Sequence, residues 1–364
     1  MELKKAIEEK KIIITVGTGG VGKTTLAAAI ALQASKMGKK TIVLTIDPAK
    51  RLANALGLGQ FTHKAKRVPT ENKELLYAMM LDTKSTLDEL IRKHAPSQEI
   101  ASKIISNRLY FFLSTMLSGT QEYMALEKVY ELYESGTYDF IVLDTPPAKH
   151  ALDFLEAPDR LARFFDENTI KWFLKPYLAA GKWSIKFFST GSYVLFKLIE
   201  KLTGMELLYD LSEFFLNLQT LYSGFRERTL KVKSILESKD SAFYLVTNPE
   251  NVVFNTAIEF YKKLLNFQIP LEGILMNRII KSPPLTPKEE RELSQISVKQ
   301  MSEVEEKELK IFKLYQALAK REREQVDLFK KSIQSTLPLY EIPFFEQQIC
   351  DVKGLNIINL YLFQ

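Results

Sequence analysis

Val16-Gly17-Thr18-Gly19-Gly20-Val21-Gly22-Lys23-Thr24-Thr25 is the stretch whose reading decides the fold. From Gly17 to Thr24 it spells G-x-x-x-x-G-K-T, a phosphate-binding loop, and both flanks have the character that loop requires. Residues 11–16 (KIIITV) are a β-branched run that predicts a buried strand, and residues 25–37, rich in Ala and Leu, predict a helix stopped by Gly38. The glycines let backbone N–H groups turn inward on an anion without Cβ clashes. The helix that follows adds the partial positive charge of its N-terminus. In such a loop the backbone of Gly19, Gly20, Val21 and Gly22 cradles phosphate, Lys23 reaches the β- and γ-phosphates, and the Thr24 hydroxyl ligates Mg²⁺. Thr25 adds a contact to the α-phosphate.

Two further strands point at the same place. Residues 41–46 (TIVLTI) end on Asp47-Pro48-Ala49, and ligands of open α/β sheets sit beyond the carboxyl ends of strands. Asp47 there is a candidate to orient or deprotonate an attacking water, the alternative being an ordinary Asp-Pro turn. Residues 139–144 (DFIVLD) run into Thr145-Pro146-Pro147, the Walker B pattern, which makes Asp144 a candidate to hold Mg²⁺. The expected metal set is thus Thr24, Asp47 and Asp144. Strands at 242–247 and 272–276 follow, the second ending on Asn277, whose amide both donates and accepts, as adenine recognition requires. A last short strand spans 338–343 and ends at Pro343.

Around these strands, 1–10 reads as a short charged helix, 57–75 as an irregular basic segment and 76–81 as a strand. Helical spacing covers 84–95 and 98–134. Within the second stretch, Glu122 and Glu127 fit a solvated helix face better than a nucleotide-facing one. Residues 159–238 concentrate aromatics, including Trp172 and Trp183, and read either as a helical core or as a groove for a hydrophobic partner. Residues 286–332 predict one or two charged helices, and the apolar segment 355–363 either docks on the core or forms a weak amphipathic anchor. Strands lie on both sides of the aromatic stretch. The expectation is therefore one α/β domain over residues 1–364, with a mostly parallel, doubly wound sheet and helical insertions near 84–134 and 159–238.

Composition narrows the chemistry. Fifty basic and 44 acidic residues give a net charge of +6, mild for 364 residues, which permits anionic lipid or nucleic acid but argues for neither. The single cysteine, Cys350, can form no intramolecular disulfide and no CxxC pair, and three scattered histidines at 63, 94 and 150 do not suggest a transition-metal site. The opening MELKKAIEEKK has no apolar signal region, and no run of 18 apolar residues occurs. The expected location is the cytoplasm, with peripheral membrane association open.

In motif order the chain resembles the arsenite-pump-driving ATPases (ArsA) and the targeting ATPases for tail-anchored membrane proteins, of the deviant-Walker-A class of P-loop NTPases. The matching residues are Gly17 to Thr25, Thr45-Ile46-Asp47-Pro48-Ala49, and Asp144-Thr145-Pro146-Pro147 with His150 and Phe154-Leu155. Asn277 matches the family's adenine-reading Asn, and the loop around Pro343 its adenine loop. The resemblance implies an ATPase using ATP and Mg²⁺, with Asp47 and Lys23 catalytic, that works as a dimer with nucleotides at the interface. Thr18 stands where the class has a Lys that reaches the partner's phosphates. A homodimer, or a heterodimer with a paralogous ATPase carrying that Lys, is therefore expected. The dimer-clamping CxxC and the metalloid-binding cysteine trio of the relatives are both missing. The leading expectation is ATP hydrolysis that drives dimer cycling around a hydrophobic protein client or partner. The alternatives are an energising subunit of an anion transporter and a positioning switch on a membrane or DNA surface; no specific nucleic acid is expected.

Overall fold

The computed structural model describes residues 2–47, 51–59, 63–71, 75–107, 110, 120–146, 213–214, 216–218, 221–267, 269–283, 285–296, 302–333 and 336–363. Pro48, Ala49, Pro147, His150, Phe154, Leu155 and the aromatic stretch up to residue 212 lie outside the described residues.

Helix α1 (Leu3–Glu9) leads into strand β1 (Ile12–Gly17) and helix α2 (Lys23–Lys36), the strand, loop and helix of the opening motif. Strand β2 (Thr41–Thr45), a short helix α3 (Arg51–Ala55), and strands β3 (Lys66–Arg67) and β4 (Leu76–Met80) follow. Helices α4 (Thr83–His94), α5 (Gln98–Ser106) and α6 (Thr120–Ser135) precede strand β5 (Phe140–Asp144). Helix α7 (Tyr222–Leu236), strand β6 (Ser241–Thr247), helix α8 (Asn251–Asn266) and strand β7 (Leu271–Ile279) come next. The described chain closes with helices α9 (Pro287–Gln295) and α10 (Glu303–Ile333), strand β8 (Leu339–Pro343) and helix α11 (Val352–Leu362).

The eight strands form one sheet in the order β3-β4-β2-β5-β1-β6-β7-β8. Every pairing is parallel except β3 with β4. Both faces are covered, so the strands read as unbroken apolar runs rather than alternating ones. In β1, Ile12, Ile14 and Val16 enter one core, and Ile13 enters the other. Helix α2 is apolar nearly all round. Leu26 through Leu32 are fully buried, because the small alanines let α2 lie between the sheet and α11.

The fold revises some expectations and decides between others. Residues 57–75 are not wholly irregular: Lys66–Arg67 adds an exposed antiparallel edge strand. Within 98–134 the described helices are α5, which ends at Ser106, and α6 (Thr120–Ser135); residues 108–109 and 111–119 lie outside the described residues. The segment around 355–363 is α11, and Leu355, Ile358 and Leu362 dock it on the core that holds α2. Glu122 and Glu127 are both buried, against the expectation of a solvated face. Glu127 accepts from Arg228 Nε of α7 at 2.6 Å, and Arg228 Nη1 also reaches Glu134 at 2.8 Å. Among the described residues no helix is long and apolar enough to cross a membrane.

Candidate nucleotide site

Strand order assembles the site. β5 lies between β2 and β1, so the carboxyl ends of three strands separated in sequence meet. Asp144 is level with Thr45 in β2 and with Thr15 in β1. Asp47, Asp144 and the glycine loop after Gly17 therefore share one rim of the sheet.

The loop between β1 and α2 is shaped by close approaches. Gly17 has φ +151°, and a Cβ there would meet the Val246 carbonyl oxygen at 2.1 Å. Gly22, the residue before α2, has φ +95°, and a Cβ there would meet Asn277 Nδ2 at 2.2 Å. Only glycine occupies such positions without displacing its neighbours. Asn277, at the end of β7, donates from Nδ2 to the Val21 carbonyl at 2.8 Å, so it braces the loop from the far side. Gly19 and Gly20 are exposed, while Val21 is buried and anchors the loop in the core.

Lys23 is buried at the first turn of α2, and its ammonium donates to the carbonyls of Gly17 at 3.0 Å and Thr18 at 2.8 Å. Burial pushes it down to about 8, with Asp144 and Asp47 pulling the other way. It is thus a cation held in the loop it would share with phosphate.

Asp144 is fully buried. Its Oδ2 accepts from the Thr24 hydroxyl at 2.7 Å and from the Thr45 hydroxyl at 2.8 Å. Its Oδ1 is buried and has no hydrogen-bond partner among the described residues. Burial raises its carboxyl to about 6 despite those two donors. A buried carboxylate oxygen without a donor costs free energy unless something positive meets it. Beside the Thr24 hydroxyl, this all-oxygen pair has the hard-donor chemistry of a Mg²⁺ site. Asp47 pairs with Arg51 of α3, Oδ2 to Nη1 at 3.1 Å, and its backbone N–H donates to Thr45 Oγ1 at 3.2 Å.

A cavity of about 730 Å³ opens beside the loop. Gly22 and Thr25 border it on the α2 side, Asn54 and Gly57 on the α3 side, and Asn277 and Pro343 at the ends of β7 and β8. The expected residues thus fall into two groups, one around Lys23, Thr24, Asp47 and Asp144, the other around Thr25, Asn277 and Pro343. Sequence reasoning named Thr45 only within a matching segment, without a role at the site, and did not single out Gln121. Thr45 was visible as a hydroxyl in an otherwise apolar strand end. Gln121 Nε2 donates to the Ile46 carbonyl at 3.1 Å, ties α6 to the Asp47 segment, and left no signal in the sequence.

A parallel sheet with a glycine loop running into a helix, and a buried Asp on the adjacent strand, defines a P-loop NTPase. Residues 10–331 match the family described as anion-transporting ATPase, and the chain belongs to that family. An Aquifex aeolicus protein, provisionally named arsenical pump-driving ATPase 1, is 27% identical over 282 residues, 74% of this chain and 63% of that protein. The ATPase get3 of Schizosaccharomyces japonicus is 31% identical over 153 residues, 42% of this chain and 45% of that protein. The ATPase GET3 of Mycosarcoma maydis is 32% identical over 163 residues, 44% of this chain and 47% of that protein. The chain spans less than two thirds of the length of each of these relatives.

Proposed function

We propose that this chain hydrolyses ATP with Mg²⁺ and uses the cycle to change the conformation of a dimer that handles a hydrophobic protein client or partner. The observation that carries the catalytic part is Asp144: fully buried, hydrogen-bonded on one oxygen to Thr24 and Thr45, and on the other without a hydrogen-bond partner among the described residues, beside the glycine loop.

In this reading the backbone of Gly19, Gly20, Val21 and Gly22 binds the phosphates, with Lys23 as their counter-charge. Thr24 and Asp144 would hold Mg²⁺, with Asp47 on the same rim, and the cation would neutralise charge on the phosphate oxygens. Asp47 orients the attacking water. Asn277 and Pro343 border the cavity for adenine, and Thr25 lies between base and phosphate. The Gln121 bond to Ile46 supports a link from the Asp47 segment into the helices, the route a client cycle needs. The relatives' names, a pump-driving ATPase and the ATPase get3, favour an ATP-hydrolysing role over a small-molecule kinase.

The test is ATP turnover and oligomeric mass on one purified sample, wild type beside Asp47→Asn. Turnover by a wild-type dimer, lost by at least 100-fold in Asp47→Asn with ATP binding retained, is the expected result. Equal turnover by the two proteins removes Asp47 from the chemistry. A wild type that binds ATP but neither turns it over nor dimerises ends the homodimer reading and directs the search to a paralogous subunit.

A further inference from the structure

We propose that Arg51 is a catalytic residue: its guanidinium leaves Asp47 and places its N–H donors on the γ-phosphoryl oxygens of ATP as the β–γ bridge breaks. The inference rests on the ATPase reading above.

Phosphoryl transfer to water needs positive charge at two places. As the water oxygen bonds to the γ-phosphorus, the bond from phosphorus to the bridging oxygen breaks. The electron pair leaves with ADP, and the water's proton passes to the phosphate or to solvent. Charge spreads over the γ-phosphoryl oxygens and the bridging oxygen at that moment. Lys23 supplies one cation, fixed to the loop by two carbonyls. Thr18, within the loop, supplies none.

Arg51 stands where a second cation would act. It opens α3, and Asn54 of that helix, with Gly57 just beyond its end, borders the cavity shared with Gly22 and Thr25. The short helix therefore runs alongside the nucleotide site. Arg278, the arginine that borders that cavity, belongs to the Asn277 end.

The contact that now holds Arg51 is one it can give up. Its pair with Asp47 is an i,i+4 pair, and the Arg51 side chain is 63% exposed. Asp47 lies outside α3 with its side chain 19% exposed, but a pair whose cation is largely in water contributes modestly, so exchanging the carboxylate for phosphate oxygens gains a charge-assisted, fork-shaped contact at small cost. The exchange also takes the guanidinium off Asp47 Oδ2, an oxygen that can accept from the attacking water. One side-chain movement would thus add transition-state charge beside the water-orienting group.

The experiment compares wild type, Arg51→Ala and Arg51→Lys by turnover, by thermal midpoint, and by affinity for Mg·ADP with and without aluminium fluoride. The expected result is a 100- to 1000-fold loss of kcat in both variants. Mg·ADP affinity stays within about threefold of wild type, and the gain in affinity on adding aluminium fluoride disappears. Arg51→Lys preserves a charge pair to Asp47, so it should also keep the wild-type midpoint. A merely structural arginine would then be rescued by lysine, whereas a phosphate fork would not. Arg51→Ala with kcat within threefold of wild type and intact tightening by aluminium fluoride overturns the inference while leaving the ATPase reading in place. Wild type without turnover overturns both.

Discussion

Asp144 shows at one residue how this site departs from ordinary stability. Its carboxyl is raised to about 6 from 3.8, first by burial. The folded state therefore holds the proton more tightly than the unfolded chain does, and stability falls as pH rises from about 4 to about 6. Above that window the ionised group costs on the order of 3 kcal/mol. Asp144→Asn should melt several degrees above wild type at pH 7 without Mg²⁺, and the gap should close by pH 4; parallel melts across that range decide it. Lys23 has the opposite pH sense, since its charge fades above about 8. ATP affinity should accordingly weaken as pH rises through 8 to 9, read by titration calorimetry at fixed salt; an affinity flat from pH 7 to 9.5 would remove Lys23 as the counter-charge. At Gly22 the conflict is steric. Gly22→Ala should cost at least about 1–2 kcal/mol from the positive φ alone, and should weaken nucleotide binding by pushing Asn277 off the Val21 carbonyl.

Between elements, the contact most open to test joins α6 to α7. Glu127 and Arg228 are both buried, and the Arg228 guanidinium also lies over the Tyr130 ring, 4.1 Å from its centroid. Burial outweighs the guanidinium and holds the Glu127 carboxyl above its ordinary range. Such a pair is weak evidence for stability, but breaking it strands a buried charge. Arg228→Met should destabilise by about 3–5 kcal/mol in urea melts, and Arg228→Met with Glu127→Leu should recover most of that loss. A double variant no better than the single would mean that the pair is not what holds the helices together. The same pair explains why α6 was misread. A helix with charges at helical spacing looks solvated until a second helix, about 100 residues later in the chain, supplies the partner.

For the whole molecule, the question is whether ligand and fold are one system. Three strand ends and α2 build the phosphate side of the site, and the ends of β7 and β8 build the rest, so nucleotide should stabilise the entire sheet. At a hundred times its Kd, MgATP adds about 2.7 kcal/mol by mass action, which should raise Tm by a few degrees. Asp144→Ala should abolish the Mg²⁺-dependent part of that rise in a thermal-shift series. A shift that ignores Mg²⁺ would argue against a cation at Asp144.

Much of this was legible in the chain itself, because the signals were local. A glycine loop must sit between strand and helix to work, and a strand buried on both faces must be apolar throughout, so residues 11–37, 41–47 and 139–144 declared their structure and their candidate residues together. The apolar spacing at 355–363 likewise marked a segment that needed a surface to cover. What sequence alone could not supply was adjacency. That β5 inserts between β1 and β2, that the Thr45 hydroxyl meets Asp144, that Asn277 braces a loop 256 residues earlier, and that Arg51 pairs with Asp47 all follow from how the strands order and how the helices pack. Those contacts join parts of the chain whose distance in sequence carries no local pattern. The pressure to bury apolar surface and to satisfy buried polar atoms is met only when the whole sheet has formed.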